Sequence, residues 1–577
     1  MYDLQPLVEP DPVRVGDGSP LGALGTSASL VVERHRTAMN RAMLSRPMAL
    51  AFEDGVIGDG CSVLDYGCGR GGDVERLKQL GVRATGWDPS HRPDTPLVAA
   101  DVVNLGYVIN VIEDQAERRE ALRRAWSLAR SVLVVAARHS WEARKVAGRP
   151  HGDGLVTAKG TFQKFFEQDE LRAYVETTLG RRSVAAAPGV FYVFREEARA
   201  QAVLAQRTRR LGGSPARVSE LLFEQNREKL TVLQSFVEDK KRLPGTGELP
   251  ASMEAGLIDR FGSLRAAFLI VRRATGHSRW SEVDLGRPTP SQRRYEQYQP
   301  VLRPLISFIE DRGRLPRHEE LECAAEVVKS FGSVRAAFSL VRRVTGAERW
   351  RLVEDRARQN FLVYLALAAF GGRPRFGELP DDLQYDVHDL FGSYKAAVGE
   401  ADQLLFGAGS SEAIDRAAQA APVGKLTPEA LYVHVSALPQ LAPVLRVYEG
   451  CGQALAGTVK EATVVKLHRQ KPQVSYLSYP TFDSDPHPAL SNVFVARLGM
   501  LRLTYRDFRD SENPPILHRK ELFVAENYPR RETFRRLSLQ EDRYGLLTSS
   551  VIGTREGWSQ VLARAGLRLR GHRLLRL

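Results

Sequence analysis

VLDYGCGRGGDVERL, residues 63–77, runs from an apolar stretch of β type (Val63, Leu64) into a turn carrying Gly67, Gly69, Gly71 and Gly72. The following DVERLKQL reads as a helix, so strand, glycine turn and helix occur in the order that opens a doubly wound α/β sheet. Gly67, Gly69 and Gly72 satisfy GxGxxG, a pattern that alone does not say which cofactor it holds. In a dinucleotide site the pyrophosphate lies over the glycine turn, where backbone N–H groups and the helix dipole favour negative charge. Asp65, two residues before Gly67, is a poor neighbour for a phosphate. It suits S-adenosylmethionine, which carries an ammonium and a sulfonium and no phosphate. Asp88 follows Gly67 by 21 residues, in ATGWDPS at the end of the next expected strand. An acid there can accept hydrogen bonds from both hydroxyls of an adenosine ribose.

A third element, ADVVNLGYVINVIED (100–114), reads as a buried strand that brings Asn104 and Tyr107 to its rim. The helix QAERREALRRAWSLA and the strand SVLVVAA come next. With these parts in order, residues 60–195 resemble the class I S-adenosylmethionine-dependent methyltransferases, whose fold is a doubly wound α/β sheet. The resemblance implies that Asp65, Gly67 and Gly69 line the methionine and sulfonium end and that Asp88 holds the ribose; Asp101 completes the expected cofactor set. Only 12 residues separate Asp88 from Asp101, so the adenine-binding segment between them is expected to be abbreviated. The bland alternative is a Rossmann-like domain without its cofactor.

A chain of 577 residues needs several cores. The expected division is a flexible leader at 1–30, a methyltransferase domain at 31–200, three helical repeats at 219–410 and an α+β domain at 421–577. No apolar run approaches the ~20 residues of a membrane span, and the acids and prolines of the first twenty residues do not fit a signal peptide, so a cytoplasmic location is expected. Four scattered cysteines without a CxxC pair argue against both a disulfide framework and a cysteine-rich zinc site. The 82 Lys+Arg against 69 Asp+Glu give a formal charge of +13, which favours polyanionic partners.

DVVNLGYVINVIED, GTFQKFF (160–166), APGVFYVFRE (187–196) and PPILHRKE (514–521) resemble a bacterial methyltransferase family associated with DNA phosphorothioation, from about Val32 to the last residue. The resemblance implies DNA, including phosphorothioated DNA, and DNA phosphorothioation proteins as partners; it does not supply the acceptor. Exocyclic-amine methyltransferases carry [DNS]PP[YF] after the fourth strand to bind a flipped base, whereas this strand ends in VNLGY. Asn513, Pro514, Pro515 and Ile516 imitate the motif far away and read as a turn. Cytosine C5 chemistry needs a cysteine nucleophile, usually after proline, and the chain has no Pro-Cys. Candidate acceptor-side residues are Asn104, Tyr107, Arg138, His139 and His151 with Asp153, with His139 or His151 as a base.

LTVLQSFVEDKKRLP and LRPLISFIEDRGRLP match at an offset of 72, and FGSLRAAFLIVRRATG and FGSVRAAFSLVRRVTG at 70. GGRPRFGELP with FGSYKAAV is a third copy. Each reads as helix, proline turn, helix and a last helix opened by FGS, with Ser263, Ser333 and Ser393 as N-caps. The pattern is similar to repeats attached to homing endonucleases, which implies DNA binding. Residues 201–350 hold 26 Lys+Arg against 18 Asp+Glu, and Arg265, Arg272, Arg335 and Arg342 are the expected phosphate contacts; a helical spacer with solvated arginines is the plain alternative. In the C-terminal region His468, His487 and His518 with Asp483 and Asp485 are suggestive, but no two histidines have ligand spacing in sequence, and no metal site is expected.

The sequence therefore reads as an S-adenosylmethionine-dependent methyltransferase with a DNA-binding helical array, in or beside a DNA phosphorothioation system. A methyltransferase for RNA, protein or a small molecule, and a non-catalytic cofactor-sensing DNA-binding protein, stand beside that reading.

Overall fold

The structure is a computed structural model that describes residues 32–38, 43–212, 222–223, 226–285 and 289–577. The expected leader at 1–30 lies outside them. The chain forms two compact units. One combines the residues up to Val203 with Leu405–Leu577, and the other is Leu204–Leu404.

In the first unit β1 (Ser62–Tyr66), β2 (Arg83–Trp87), β3 (Ala100–Gly106) and β4 (Ala129–Ala136) are parallel, in the spatial order β2-β1-β3-β4. Val102, Val103, Leu105 and Val132 to Val135 are buried, as expected of strands covered on both faces. Each such side chain contributes about 1.5–3 kcal/mol relative to exposure. The helix Gln115–Leu128 links β3 to β4, its first turn capped by the Asp114 carboxylate, which accepts from the Glu117 N–H at 2.7 Å. A small antiparallel sheet follows: β5 (Gly148–His151), β6 (Gly154–Thr157) and β7 (Phe162–Gln163). The chain then returns to the main sheet as β8 (Val184–Ala187) and β9 (Val190–Phe194), β9 pairing antiparallel with β4 and β8 antiparallel with β9.

This is a Rossmann-like sheet, ending at β2 because residues 89–99 turn without adding a strand. The shortening matches the close spacing of Asp88 and Asp101. The chain leaves β1 toward β2 and then crosses back to place β3 on the other side of β1. That reversal opens a crevice at the carboxyl ends of β1 and β3, where doubly wound sheets bind their ligands.

The rest of the first unit is an antiparallel sheet with strands in sequence order: β10 (Lys425–Leu426), β11 (Ala430–His434), β12 (Val464–His468), β13 (Gln473–Ser478), β14 (Asn492–Arg497) and β15 (Arg502–Asp507). The strands expected in TVVKLHR and PQVSYLSYP and the hairpin of VFVARLG with LRLTYRDF are present. The Asn513–Ile516 segment, expected as a turn, is instead extended, with bridges from Pro515 to Thr554 and from Ile516 to Ala489, and the Asn513 side-chain oxygen accepts from the Glu556 N–H at 2.9 Å.

The helix Pro443–Ala456 joins this sheet to the Rossmann-like sheet. It packs on β13 and β14 on one side and on β8 on the other. Gln168 donates to the carbonyls of Leu455 and Ala456 (3.2 and 3.4 Å), and Arg172 donates to that of Ala454 (2.6 Å). Gly457, at φ 74°, lies so close to β8 that an added Cβ would stand 2.4 Å from the Ala187 nitrogen.

The second unit contains the repeats. Arg227–Lys240, Ala251–Phe261 and Leu264–Thr275 form the first; Gln299–Arg312, Ala324–Phe331 and Val334–Thr345 the second; Ala347–Ala368, Asp381–Phe391 and Tyr394–Ala408 the third. Ser263, Ser333 and Ser393 accept from the N–H groups of Ala266, Ala336 and Ala396 at 3.0, 3.1 and 3.2 Å, so all three caps form. In the first two copies a tryptophan closes the unit: Trp280 and Trp350 donate to Thr275 and Thr345 (2.7 and 2.9 Å) and meet Phe268 and Phe338 edge-on.

Candidate active site

The crevice is a cleft of about 1040 Å³ whose wall carries Asp65, Gly67, Gly69, Asp88, Asn104 and Tyr107. This volume is slightly above the roughly 300–1,000 Å³ usual for small-molecule sites, leaving space for an acceptor beside a cofactor. Gly67 has φ 84° and faces Val108, which an added Cβ would meet at 2.4 Å. Gly69 has φ 52° and lies under Ala38. Only glycine takes this backbone path at such close range.

Asp65 is buried at the end of β1 and accepts from the Asn104 amide at 2.8 Å. That bond fixes the amide, and the Asn104 side-chain oxygen is left buried without a hydrogen-bond partner among the described residues. A carboxylate and an amide oxygen thus stand together as acceptors, a pair suited to an ammonium group, which only donates. Burial pushes the Asp88 carboxyl up, but the N–H groups of Ser90 and His91, the His91 ring and the Gly69 N–H outweigh it and hold the carboxyl below its ordinary range. Of its two oxygens, Oδ2 takes, among the described residues, only the Gly69 bond, at 3.0 Å, and keeps lone-pair capacity toward the cleft. Tyr107 follows β3 in a left-handed conformation (φ 63°), a strain of the kind stored at functional sites.

Three expected site residues lie elsewhere. Asp101 is at the opposite end of β3, where its carboxylate accepts from the N–H and hydroxyl of Ser62 at 2.8 and 2.7 Å. His139 is 3% exposed and stacks on Trp141 at 3.4 Å. The Gln168 amide NH₂ is committed to carbonyls, so its oxygen accepts, and His139 Nε2 must carry the proton shared across 3.0 Å. Burial pushes the His139 imidazole down to about 3, which suits a packing residue and not a base reaching the cleft. His151 is exposed at the tip of the β5–β6 hairpin and does not line the cleft. Its neighbour Asp153 is held by the buried Arg118 at 2.7 Å. Arg138 does line the cleft, paired with Glu142 at 3.0 Å.

The sequence reading missed a strap over the glycine turn. Residues Arg34 to Ala38 line the cleft, and Arg34 is clamped by Glu113 and Glu117 in four hydrogen bonds of 2.5–2.8 Å. RHR at 34–36 was the only signal. Cys68, inside the turn, has its thiol pushed up to about 12 by burial and by the Asp65 charge, so it stays protonated near neutrality.

Among the expected phosphate contacts, Arg265 is engaged internally, donating to the Leu285 carbonyl at 2.9 Å. Arg272 is half-buried, while Arg335 and Arg342 are exposed one heptad apart on one helix. In the third copy Asp402 stands at the position of Arg272 and Arg342 and pairs with Arg373 at 2.6 Å.

No family model and no curated protein matches the chain. Solved structures do resemble part of it. A sugar N-methyltransferase from Streptoalloteichus is 17% identical over 32% of this chain and 99% of its own, with a TM-score of 0.22. A Burkholderia thailandensis 1,6-didemethyltoxoflavin-N1-methyltransferase with bound S-adenosylhomocysteine is 16% identical over 28% and 78%, TM-score 0.19. The magnesium protoporphyrin IX methyltransferase of Synechocystis is 13% identical over 28% and 94%, TM-score 0.20.

Proposed function

We propose that the chain is an S-adenosylmethionine-dependent methyltransferase that acts on DNA. The observation that carries the cofactor assignment is the meeting of Asp65, Asn104 and Asp88 around a left-handed glycine turn at the sheet's switch point. The buried, unpartnered Asn104 oxygen and the Asp65 carboxylate fit an ammonium, and Asp88 fits a ribose diol. A dinucleotide would use Asp88 for its ribose as well, but its pyrophosphate would face the Asp65 carboxylate at the glycine turn instead of an ammonium. S-adenosylmethionine supplies an electrophilic methyl group on a sulfonium. The chain's own work is to orient it, exclude water and present the acceptor in line. With no Pro-Cys nucleophile in the chain and Cys68 inside the glycine turn, this reading has the methyl pass directly, without a covalent enzyme adduct. Calorimetry tests this step: the methyl donor should bind and NAD should not, and the reverse would end the reading.

The acceptor assignment rests on other grounds. The charge of +13, the exposed Arg335 and Arg342 and the resemblance to phosphorothioation-associated methyltransferases support DNA. Transfer of labelled methyl to plain duplex, phosphorothioated duplex and RNA separates the possibilities. Label on DNA is expected, and label confined to RNA, protein or small molecules would overturn the DNA assignment while leaving the methyltransferase standing. Cofactor binding without turnover on any acceptor would mark a sensor.

A further inference from the structure

The C-terminal domain brings together three residues that are far apart in sequence. His487 lies before β14, His518 belongs to PPILHRKE, and Glu541 is on the helix Arg531–Arg543. One ligand-type atom from each falls within 4.8 Å of the others. Glu541 is 0% exposed and His487 7%. Trp558 packs against both imidazoles, at 4.7 and 4.8 Å between ring centres.

The hydrogen bonds at the outer edges of the rings determine what faces inward. His518 Nε2 is 2.7 Å from the Ile552 carbonyl and His487 Nδ1 is 3.3 Å from that of Leu517. Carbonyls only accept, so these nitrogens carry the protons. His518 Nδ1 and His487 Nε2 therefore present lone pairs to the carboxylate. His487 Nε2 stands 2.7 Å from one Glu541 oxygen, two acceptors that need a cation or a proton between them. Among the described residues, the other Glu541 oxygen and His518 Nδ1 are buried without hydrogen-bond partners. One proton on Glu541 would satisfy the first contact and leave two orphaned atoms. A single metal ion would satisfy all three. The nearby ammonium of Lys520 does not serve, because it donates to the carbonyls of Phe482 and Asp485 at 2.6 and 2.5 Å.

We propose that His487, His518 and Glu541 bind a divalent first-row transition metal of the zinc class, at a site separate from the cofactor cleft. Two imidazoles and one carboxylate are a familiar donor set for such ions, and metal-bound histidines commonly donate their outer N–H to a backbone carbonyl, as both rings do here. Metal bonds of about 2.1 Å require these donors to shift by roughly an ångström or less. The site joins a loop before β14, the PPILHRKE segment and a C-terminal helix, so the ion would act as a staple within the C-terminal domain. It also gives His518 of that motif a role that the cleft does not.

The test uses the full-length chain without a histidine tag. Elemental analysis should find about one zinc-class ion per chain, and after chelator dialysis added Co²⁺ should produce a visible absorption band that saturates near one equivalent. Glu541→Gln keeps side-chain volume, and it should weaken Co²⁺ binding more than about 100-fold, as should His518→Phe; the exposed His388→Ala should not change it. A cooperative melt of each variant separates loss of a ligand from loss of fold. The proposal is overturned if the folded wild-type chain neither carries nor takes up a metal, or if folded Glu541→Gln retains full binding. Should both variants fail to fold, chelation of the wild type decides: its melting temperature should fall and recover with Zn²⁺, and an unchanged melt would reject the site.

Discussion

Thr458 donates its backbone N–H to the carbonyl oxygen of Ala186 at 2.8 Å, so the segment after the helix Pro443–Ala456 is hydrogen-bonded to edge strand β8 of the methyltransferase-like sheet. Together with the buried Gln168, which also holds His139 and the Gly189 N–H, this seam makes the two ends of the chain one body.

A fragment ending near Arg210 should consequently fold poorly, because β8 and the underside of Gln168 lose their cover. Circular dichroism melts of the fragment should lack the cooperative transition of the intact chain. In the full chain, Gly457→Val should cost at least about 2 kcal/mol, combining backbone strain at positive φ with a Cβ driven into Ala187. Denaturant titration measures it.

Asp88→Ala should weaken binding of the methyl donor by roughly 1.5–3 kcal/mol, the scale for losing hydrogen bonds to a charged group. The folded carboxyl titrates below its ordinary value, so its contribution is present at neutral pH and is lost only in acid, as pH falls through that depressed value. Calorimetric affinity should therefore owe no slope to Asp88 between about pH 5 and 8.

Glu449 behaves in the opposite sense. Burial pushes its carboxyl up to about 7, although Gln453 and Tyr476 donate to it. The unfolded chain releases this proton near the ordinary glutamate value and the folded chain only near 7. Stability attached to Glu449 is thus greatest in acid and declines as pH rises through that window, by up to roughly 1.4 kcal/mol per pH unit. Glu449→Gln should flatten that part of the stability profile in denaturant titrations across pH.

In the repeats, Ser333→Ala should cost about 1 kcal/mol through loss of the N-cap. Arg265→Ala should also lower stability, since its guanidinium satisfies the Leu285 carbonyl. Replacing both Arg335 and Arg342 by Ala should leave the melt unchanged and make the salt dependence of DNA affinity shallower by about 0.9 for each phosphate that is no longer neutralised. An unchanged salt slope would place DNA binding elsewhere.

That Asp65, Asp88 and Asn104 share one cleft was legible because a doubly wound sheet brings the carboxyl ends of its strands to one edge, where all three sit. Asp101 misled because it begins β3, and the three residues to Asn104 carry the strand about 10 Å away from the cleft. His139 misled because its environment is made by Gln168, 29 residues later, and by a domain still farther along. The repeats could be read from phase alone: FGS recurs where a helix must begin, and the cap follows from the serine. His487, His518 and Glu541 have no common spacing, so only the tertiary fold makes them a cluster.

The insertion of the repeats between Val203 and Leu405 also has a temporal side. When the last strand of the methyltransferase-like sheet leaves the ribosome, Gly457 and Thr458 are still about 250 residues from being made, on the order of 10 to 50 seconds at ~5–20 residues per second. Through that interval β8 is an uncovered edge, the kind of surface that pairs with other chains. The repeats, whose contacts are local, can fold while the sheet waits. Newly made chains stalled in this window should be the species that chaperones hold and proteases cut.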